Sequence, residues 1–321
     1  MANPEISNNI PLQKKRRKGV FYELFIKHPL LTLMIAPAVI YVFVFSYLPM
    51  AGIVIAFKDY TYTKGIFGSD WAGFKNFAFL FQTGVIYRVT INTILYNLAF
   101  LTVDITVQIT IAVFLSELSN KYFKKITQTM LLFPFFISWV VAGAIVFNIL
   151  SYRFGVINNI LTYLGKEKVD IMNNPVIWPP IIVFFRMWKG VGYGSIVYLA
   201  NIMGIDQEIY EAAKIDGANV FQRIKHITLP LLKPTVVILI LLNLGNIIRG
   251  DFAMFYNLTG NNALLLDVTD IIDTFVYRSL MTMQNYSMST AAGLYQSVLG
   301  FFIIITVNAI IKKVQPDYTL F

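Results

Sequence analysis

Apolar and polar residues along this chain fall into long blocks, with no strict alternation and no short amphipathic period. Six apolar runs stand out, at 31–56, 89–115, 126–150, 176–203, 231–256 and 288–311. Each is long enough to cross roughly 30 Å of hydrocarbon at about 1.5 Å per residue. The pattern predicts an all-α integral membrane protein of about six transmembrane helices. The fifth run is the hardest to terminate, because Arg249 and Asp251 interrupt its far end. Residues 1–29 are polar and carry the run Lys14-Lys15-Arg16-Arg17-Lys18, so they read as a basic tail ahead of a membrane domain spanning 30–321.

One polar block has a period of its own. Within 206–230, Ile205, Ile209 and Ala212/Ala213 recur at helical spacing, and after a break Val220, Ile224, Ile227 and Leu231 do the same. Gly217 sits at the break, where a left-handed turn suits a residue without a Cβ. Pro230 is expected to close the second helix. The prediction is two short amphipathic helices joined by a glycine turn, forming a knob at a membrane surface.

Composition agrees with the blocks. Of 321 residues, 57% are hydrophobic and only 13% charged, against about a quarter charged in soluble domains. Cysteine is absent and there are two histidines. Disulfides, thiol catalysis and Cys-ligated zinc are thereby excluded, and a histidine-based metal site has almost no material. The net charge of +9 would suit nucleic acid, but the basic residues sort by side of the membrane. Of the 26 Lys and Arg, 15 fall in the tail, the 116–125 loop, the 206–230 loop with Lys233, and the C-terminus. Eight fall in the other three loops. The excess places both termini and the 206–230 loop in the cytoplasm.

Ionisable groups inside a span are costly and are candidate functional residues. Asp104, Arg186, Lys189 and Arg249 qualify. Helical rise puts Lys189 about 20 Å and Asp104 about 22 Å from the outer face, so an Asp104–Lys189 ion pair is expected. Arg186, Lys189 and Tyr193 share one face of the fourth span, with Trp188 and Tyr198 on the same span. A cation and aromatic rings lining a cavity would suit a hydroxyl-rich ligand. Asn243, Asn246 and Gly250 form a second polar stripe on the fifth span, readable as pathway or as interhelical amide contacts. Gly190-Val-Gly-Tyr-Gly194 resembles the core of a potassium-channel filter. It lies within a full-length span beside a cation, however, so it reads better as a broken or closely packed helix segment.

Glu211-Ala212-Ala213, Gly217, Ile227, Leu229 and Pro230 together spell E-A-A-x3-G-x9-I-x-L-P. This resembles the signature loop of the permease subunits of bacterial ABC importers that work with a substrate-binding protein. Trp71-Ala-Gly-Phe-Lys-Asn-Phe77, Gly155-Val-Ile-Asn158-Asn-Ile-Leu161 and Asp270-Ile-Ile-Asp-Thr-Phe-Val-Tyr277 resemble segments of the carbohydrate-uptake type, in the same order. The overall resemblance runs from about residue 30 to the C-terminus. It is greatest to permeases for oligosaccharides or polysaccharide fragments.

The resemblance implies a type I importer fold in the bacterial cell membrane, with a second permease subunit, two cytoplasmic ATPase subunits and an extracytoplasmic binding protein as partners. The 206–230 loop would be the coupling loop that fits the ATPase, and 57–88 and 257–287 would touch the binding protein. ATP and magnesium would be held by the partner ATPases, since this chain lacks a G-x-x-x-x-G-K-[ST] loop; no cofactor and no enzyme activity is expected of it. A permease for peptides or another non-sugar solute is the alternative reading, and a potassium channel a further one.

Overall fold

The computed structural model describes residues 29–314. The basic run at 14–18 lies outside the described residues, as does the end of the chain from 315. The chain divides into two units, Met1–Ile53 and Val54–Phe321. In the first, α1 (Pro29–Val42) passes into a π-helical turn, Phe43–Tyr47, and a 3-10 helix, Leu48–Phe57, which continues into the second unit.

In the second unit a two-residue antiparallel ribbon pairs β1 (Lys58–Asp59) with β2 (Asp70–Trp71). Helix α2 (Lys75–Gln82) leads into α3 (Val85–Glu117), the longest span. The chain continues through α4 (Lys121–Leu132), α5 (Trp139–Leu150) and α6 (Val156–Tyr163) to α7 (Trp178–Met203). The polar knob is built from α8 (Gln207–Ile215) and α9 (Val220–Arg223). Then come α10 (Leu229–Leu244), α11 (Phe252–Thr259), α12 (Ile272–Met281) and α13 (Tyr286–Val314).

Among the described residues four helices are long and apolar enough to cross a membrane: Pro29–Phe57, Val85–Glu117, Val220–Leu244 and Tyr286–Ala309. The third expected run, 126–150, is not one straight helix. Lys121–Phe136 and Trp139–Leu150 meet at 97° and make a fifth span only if counted together. Pro134 stands in a 3-10 turn, Ile137 is extended, and the Ser138 hydroxyl caps a new helix by accepting from the Val141 N–H at 3.3 Å. Hydropathy does not register one capping serine in an apolar run. The fourth run is a continuous 26-residue helix, but its cations and glycines leave it short of the apolar content of the others. The fifth run, expected as 231–256, stops at Leu244 and resumes at Phe252, where Asp251 accepts from the Met254 N–H at 3.1 Å and starts α11.

Three apolar clusters hold the second unit together. One joins Tyr96 and Phe100 to Trp178, Phe255 and Ile271. A second joins Leu80, Ile86 and Ile272 to Met288 and Ala291. The third joins Ala112, Tyr198, Leu199 and Leu232 near the knob. Close backbone approach depends on glycine at two crossings. A Cβ on Gly192 of α7 would lie 2.0 Å from the Leu131 carbonyl oxygen, and one on Gly143 of α5 would lie 2.3 Å from that of Asn257.

The end of the bundle opposite the knob is stitched by polar side chains. Asn158 is fully buried; its Nδ2 donates to the carbonyls of Ser151 (3.3 Å) and Val169 (3.0 Å), and its Oδ1 accepts from the Val169 N–H (2.8 Å). Asn76 Nδ2 donates to the carbonyls of Ala56 (2.9 Å) and Lys58 (3.0 Å), while the rings of Trp71 and Phe77 lie 6.0 and 5.4 Å from Phe57. Asp270 is buried and receives both terminal nitrogens of Arg278, at 2.9 and 2.5 Å.

Candidate functional site

Two places bring the candidate residues together. The first is the knob. Its α8 begins where Asp206 accepts from the Glu208 N–H at 3.0 Å, and its α9 begins with a reciprocal box in which Asn219 and Gln222 bond each other's backbone at 2.8 and 2.9 Å. Between them Gly217 has φ +81°, and a Cβ there would meet nothing within 4 Å. The demand for glycine at this turn is therefore one of backbone conformation and not of space.

The knob is fixed to the bundle at two points. Buried Tyr210 shares a 2.9 Å hydrogen bond with the Thr228 hydroxyl, and Arg223 Nη2 lies 3.6 Å from Glu117 Oε2 at the end of α3. Its outer surface is exposed. Glu211 and Ala212 face outward, Glu211 has no hydrogen bond or ion pair among the described residues, and the apolar side chains of Ile215 and Phe221 are bare. Ala213 and Ile227 are half-buried.

Pro230 does not close the second helix, contrary to expectation, and Leu229 and Pro230 open α10. A π turn, Ile224–Thr228, joins α9 to α10, and Val220–Leu244 is one continuous helical stretch. The Leu229 N–H reaches back five residues to the Ile224 carbonyl. The wider turn makes room for a ring that lacks an N–H and would otherwise press on the carbonyl four residues earlier.

The second place is a cavity of about 520 Å³, within the roughly 300–1,000 Å³ of small-molecule sites. It lies between the Phe100 and Tyr198 clusters, since both residues line it. Helix α3 contributes Asn97, Asp104 and Gln108; α7 contributes Arg186, Tyr193 and Tyr198; Phe135 comes from the bend in the third span. Asn243, Asn246, Arg249 and Asp251 come from the interrupted fifth span. Tyr193 stacks on Phe135 with ring centroids 4.7 Å apart. Tyr198 is only 1% exposed, yet it lines the cavity and makes no hydrogen bond to another described residue.

The ion pair differs from the one expected. Arg186, not Lys189, faces Asp104, with Nε 3.9 Å from Oδ2, and its Nη1 is also 3.9 Å from Asp251 Oδ2. Lys189 instead donates to the Phe135 carbonyl at 2.6 Å and sits 5.4 and 5.5 Å from the ring centroids of Phe135 and Trp139. Depth along a helix cannot separate residues one turn apart, and the bend at 137–138 frees a carbonyl that takes the ammonium.

Lys189 and Trp188 therefore do not line the cavity; Trp188 packs against Phe185, with centroids 5.8 Å apart. Asn243 and Asn246 each donate to the carbonyl four residues earlier, of Leu239 and Leu242, at 2.7 and 3.3 Å. Among the described residues they make no interhelical amide contact. Gly250 lies outside the helix, in the interruption.

Sequence reasoning passed over Asn97, Gln108, Phe135, Trp139 and Asp251. Asn97, Asp104 and Gln108 recur at i, i+7, i+11, a polar stripe on the second span that could have been found. The Gly190–Gly194 segment lies inside continuous α7. It is closely packed, with Gly192 against Leu131 and Gly194 under the Gln108 amide. It forms neither a break nor a filter loop.

Comparison with known proteins adds the following. Residues 108–316 match the family described as "Binding-protein-dependent transport system inner membrane component". The chain is 36% identical to the polygalacturonan/rhamnogalacturonan transport system permease protein YteP of Bacillus subtilis (strain 168), over 94% of this chain and 93% of that protein. The chain belongs to this family of transport-system membrane components.

Protein LplB of the same organism is also 36% identical, over 89% of this chain and 90% of its own length. Among solved structures, a chain of a bacterial ABC transporter involved in the import of the acidic polysaccharide alginate superposes with a TM-score of 0.82. It is 32% identical, with 92% of this chain and 99% of that chain covered. The type I importer permease fold is thus the fold of this chain. As a member of the family it is a transport permease and not an enzyme.

Proposed function

We propose that this chain is one of two membrane-spanning subunits of an ATP-driven importer that moves an oligosaccharide or glycan fragment delivered by an extracytoplasmic binding protein. The observation that carries the reading is the cavity. It combines a carboxylate–guanidinium network, an unpartnered tyrosine hydroxyl and a ring pair between helices that are otherwise apolar. Hydroxyl-rich ligands need this mixture: carboxylates and amides bond hydroxyls, and rings cover the C–H faces of sugars. Several of the relatives are named for sugar or polysaccharide transport, which supports a carbohydrate over a peptide or another solute.

The knob is then the coupling loop. Its exposed Glu211, Ile215 and Phe221 would enter a cleft in the ATPase, and its two anchor points would pass the ATPase's movement to α3 and α10. Both termini and the knob lie on the cytoplasmic side in this reading, and a second permease subunit covers the polar faces of the cavity, which cannot face lipid. ATP and magnesium stay with the ATPase subunits. Alternating access needs only two packings of the bundle biased by nucleotide.

The test is reconstitution of the full complex in liposomes with the loaded binding protein and ATP, following uptake of labelled oligosaccharide. ATP-dependent uptake is expected, and Tyr193→Ala should reduce it several-fold at normal subunit abundance. Uptake by this chain alone, or none by the complex with any oligosaccharide, would sink the proposal.

A further inference from the structure

The backbone of the interruption in the fifth span is firmly fixed, while its cation, the Arg249 guanidinium, has no hydrogen bond or ion pair among the described residues. Asn97 of α3 donates from Nδ2 to the carbonyls of Ile247 (2.8 Å) and Arg249 (3.0 Å). Gln296 of α13 donates to the Ile248 carbonyl at 3.0 Å and to Asp273 Oδ2 at 3.1 Å. The same Asp273 oxygen accepts the Gly250 N–H at 2.7 Å. There is no room for another residue at 250, where a Cβ would lie 2.1 Å from Ile271 Cδ1. Residues 247–250 are thus held from three other elements.

The Arg249 side chain takes no part in this. It is exposed and lines the cavity, and among the described residues its guanidinium makes no hydrogen bond and no ion pair within 4.0 Å. None of the neighbouring carboxylates pairs with it within 4.0 Å, although Asp104 Oδ1 is itself buried without a hydrogen-bond partner among the described residues. Asp104 and Asp251 share Arg186, and Asp251 also accepts from Trp139 Nε1 at 3.0 Å and caps α11. Arg249's charge acts on Asp273, but that carboxylate's Oδ2 is occupied by Gly250 and Gln296.

A guanidinium is always charged and presents a planar fork that matches a carboxylate. Holding its backbone in advance lowers the ordering cost of pairing. A neutral sugar could be held through its hydroxyls by Asp104, Gln108 and Tyr198, whereas a carboxylate would also neutralise the guanidinium. Once the cavity is covered, an uncompensated guanidinium becomes costly.

We propose that Arg249 pairs with a carboxylate of the transported glycan, so that the cargo is an acidic, uronate-bearing oligosaccharide. This rests on the carbohydrate-import reading above.

The experiment uses the purified full complex without its binding protein, titrated with galacturonate trimer and with the same trimer after reduction of its carboxyl groups. Isothermal titration calorimetry supplies the readout. Arg249→Gln should weaken binding of the charged trimer about ten-fold or more and of the reduced trimer by less than about two-fold, and Arg249→Lys should recover part of the loss. Equal loss for both trimers, or an Arg249→Gln complex that fails to assemble, overturns the assignment, the latter because the partner would then be a carboxylate of another subunit. If the wild-type complex binds the reduced trimer as tightly as the charged one, this inference falls while carbohydrate import stands. If it binds neither trimer and the liposome assay shows no uptake, both fall.

Discussion

Trp139 and Asp251 are joined by one hydrogen bond, from the indole Nε1–H to Oδ2 at 3.0 Å. Trp139 opens the helix after the bend in the third span, and Asp251 opens the helix after the interruption in the fifth. The bond therefore ties two discontinuities into one structural unit beside the cavity. Arg186 extends it to α3 through Asp104.

Trp139→Phe keeps an aromatic ring, though a smaller one, and removes the donor. It should cost about 1 kcal/mol and lower uptake several-fold, with the complex still assembling. Wild-type uptake in this variant would show that the two breaks act independently.

Gly192→Ala and Gly190→Ala form a matched pair, because a Cβ at 192 meets the Leu131 backbone at 2.0 Å while one at 190 meets nothing within 4 Å. The first should destabilise the α4–α7 contact by about 1–3 kcal/mol and reduce subunit abundance on membrane blots. The second should be neutral. Equal abundance of the two variants contradicts the close approach.

At the knob, Gly217→Val forces a β-branched residue to φ +81°, a strain of about 1–2 kcal/mol, whereas Gly217→Asn should be tolerated. Valine should uncouple ATP hydrolysis from uptake, and Glu211→Ala should weaken ATPase attachment. Capture of glycan by the binding protein should be unchanged in all three. Full stimulated hydrolysis together with full uptake in Gly217→Val would mean that 206–230 is only a loop.

The Asp270–Arg278 pair offers a test by removal. Arg278→Met leaves a buried carboxylate without its partner and should cost about 3–5 kcal/mol, while the double change with Asp270→Leu should regain most of it. Thermal denaturation of the purified complex in detergent measures both. A double variant no more stable than the single one argues against pairing as the role of Arg278.

The parts of this structure legible in the sequence were those with local causes. Gly217 could be assigned to a turn because nothing else fits a positive φ between two periodic segments, and long apolar runs marked spans one, two and six. What escaped depends on who meets whom. Arg186 and Lys189 differ by three residues on one helix, and only the bend at Ile137 decides which of them finds a carbonyl and which a carboxylate. Pro230 reads as a helix end unless the five-residue hydrogen bond before it is known. Trp188 sits on the same helix as Tyr193 but turns into the Phe185 cluster, a matter of rotation that a residue count cannot supply.

The π turn at Ile224–Thr228 has a consequence for inheritance as well as shape. It holds one residue more than an α-helical turn, and one residue is worth about 100° of rotation. The angular phase between the knob and the span above it is thus stored in a single surplus residue, and a one-codon deletion there would leave every remaining side chain chemically intact while turning the two ends to face different neighbours. Phe43–Tyr47, followed by Pro49 as the later turn is followed by Pro230, repeats the device in the first span. A chain of this kind can tolerate many substitutions along these turns, but a change of length there would be read as a change of direction.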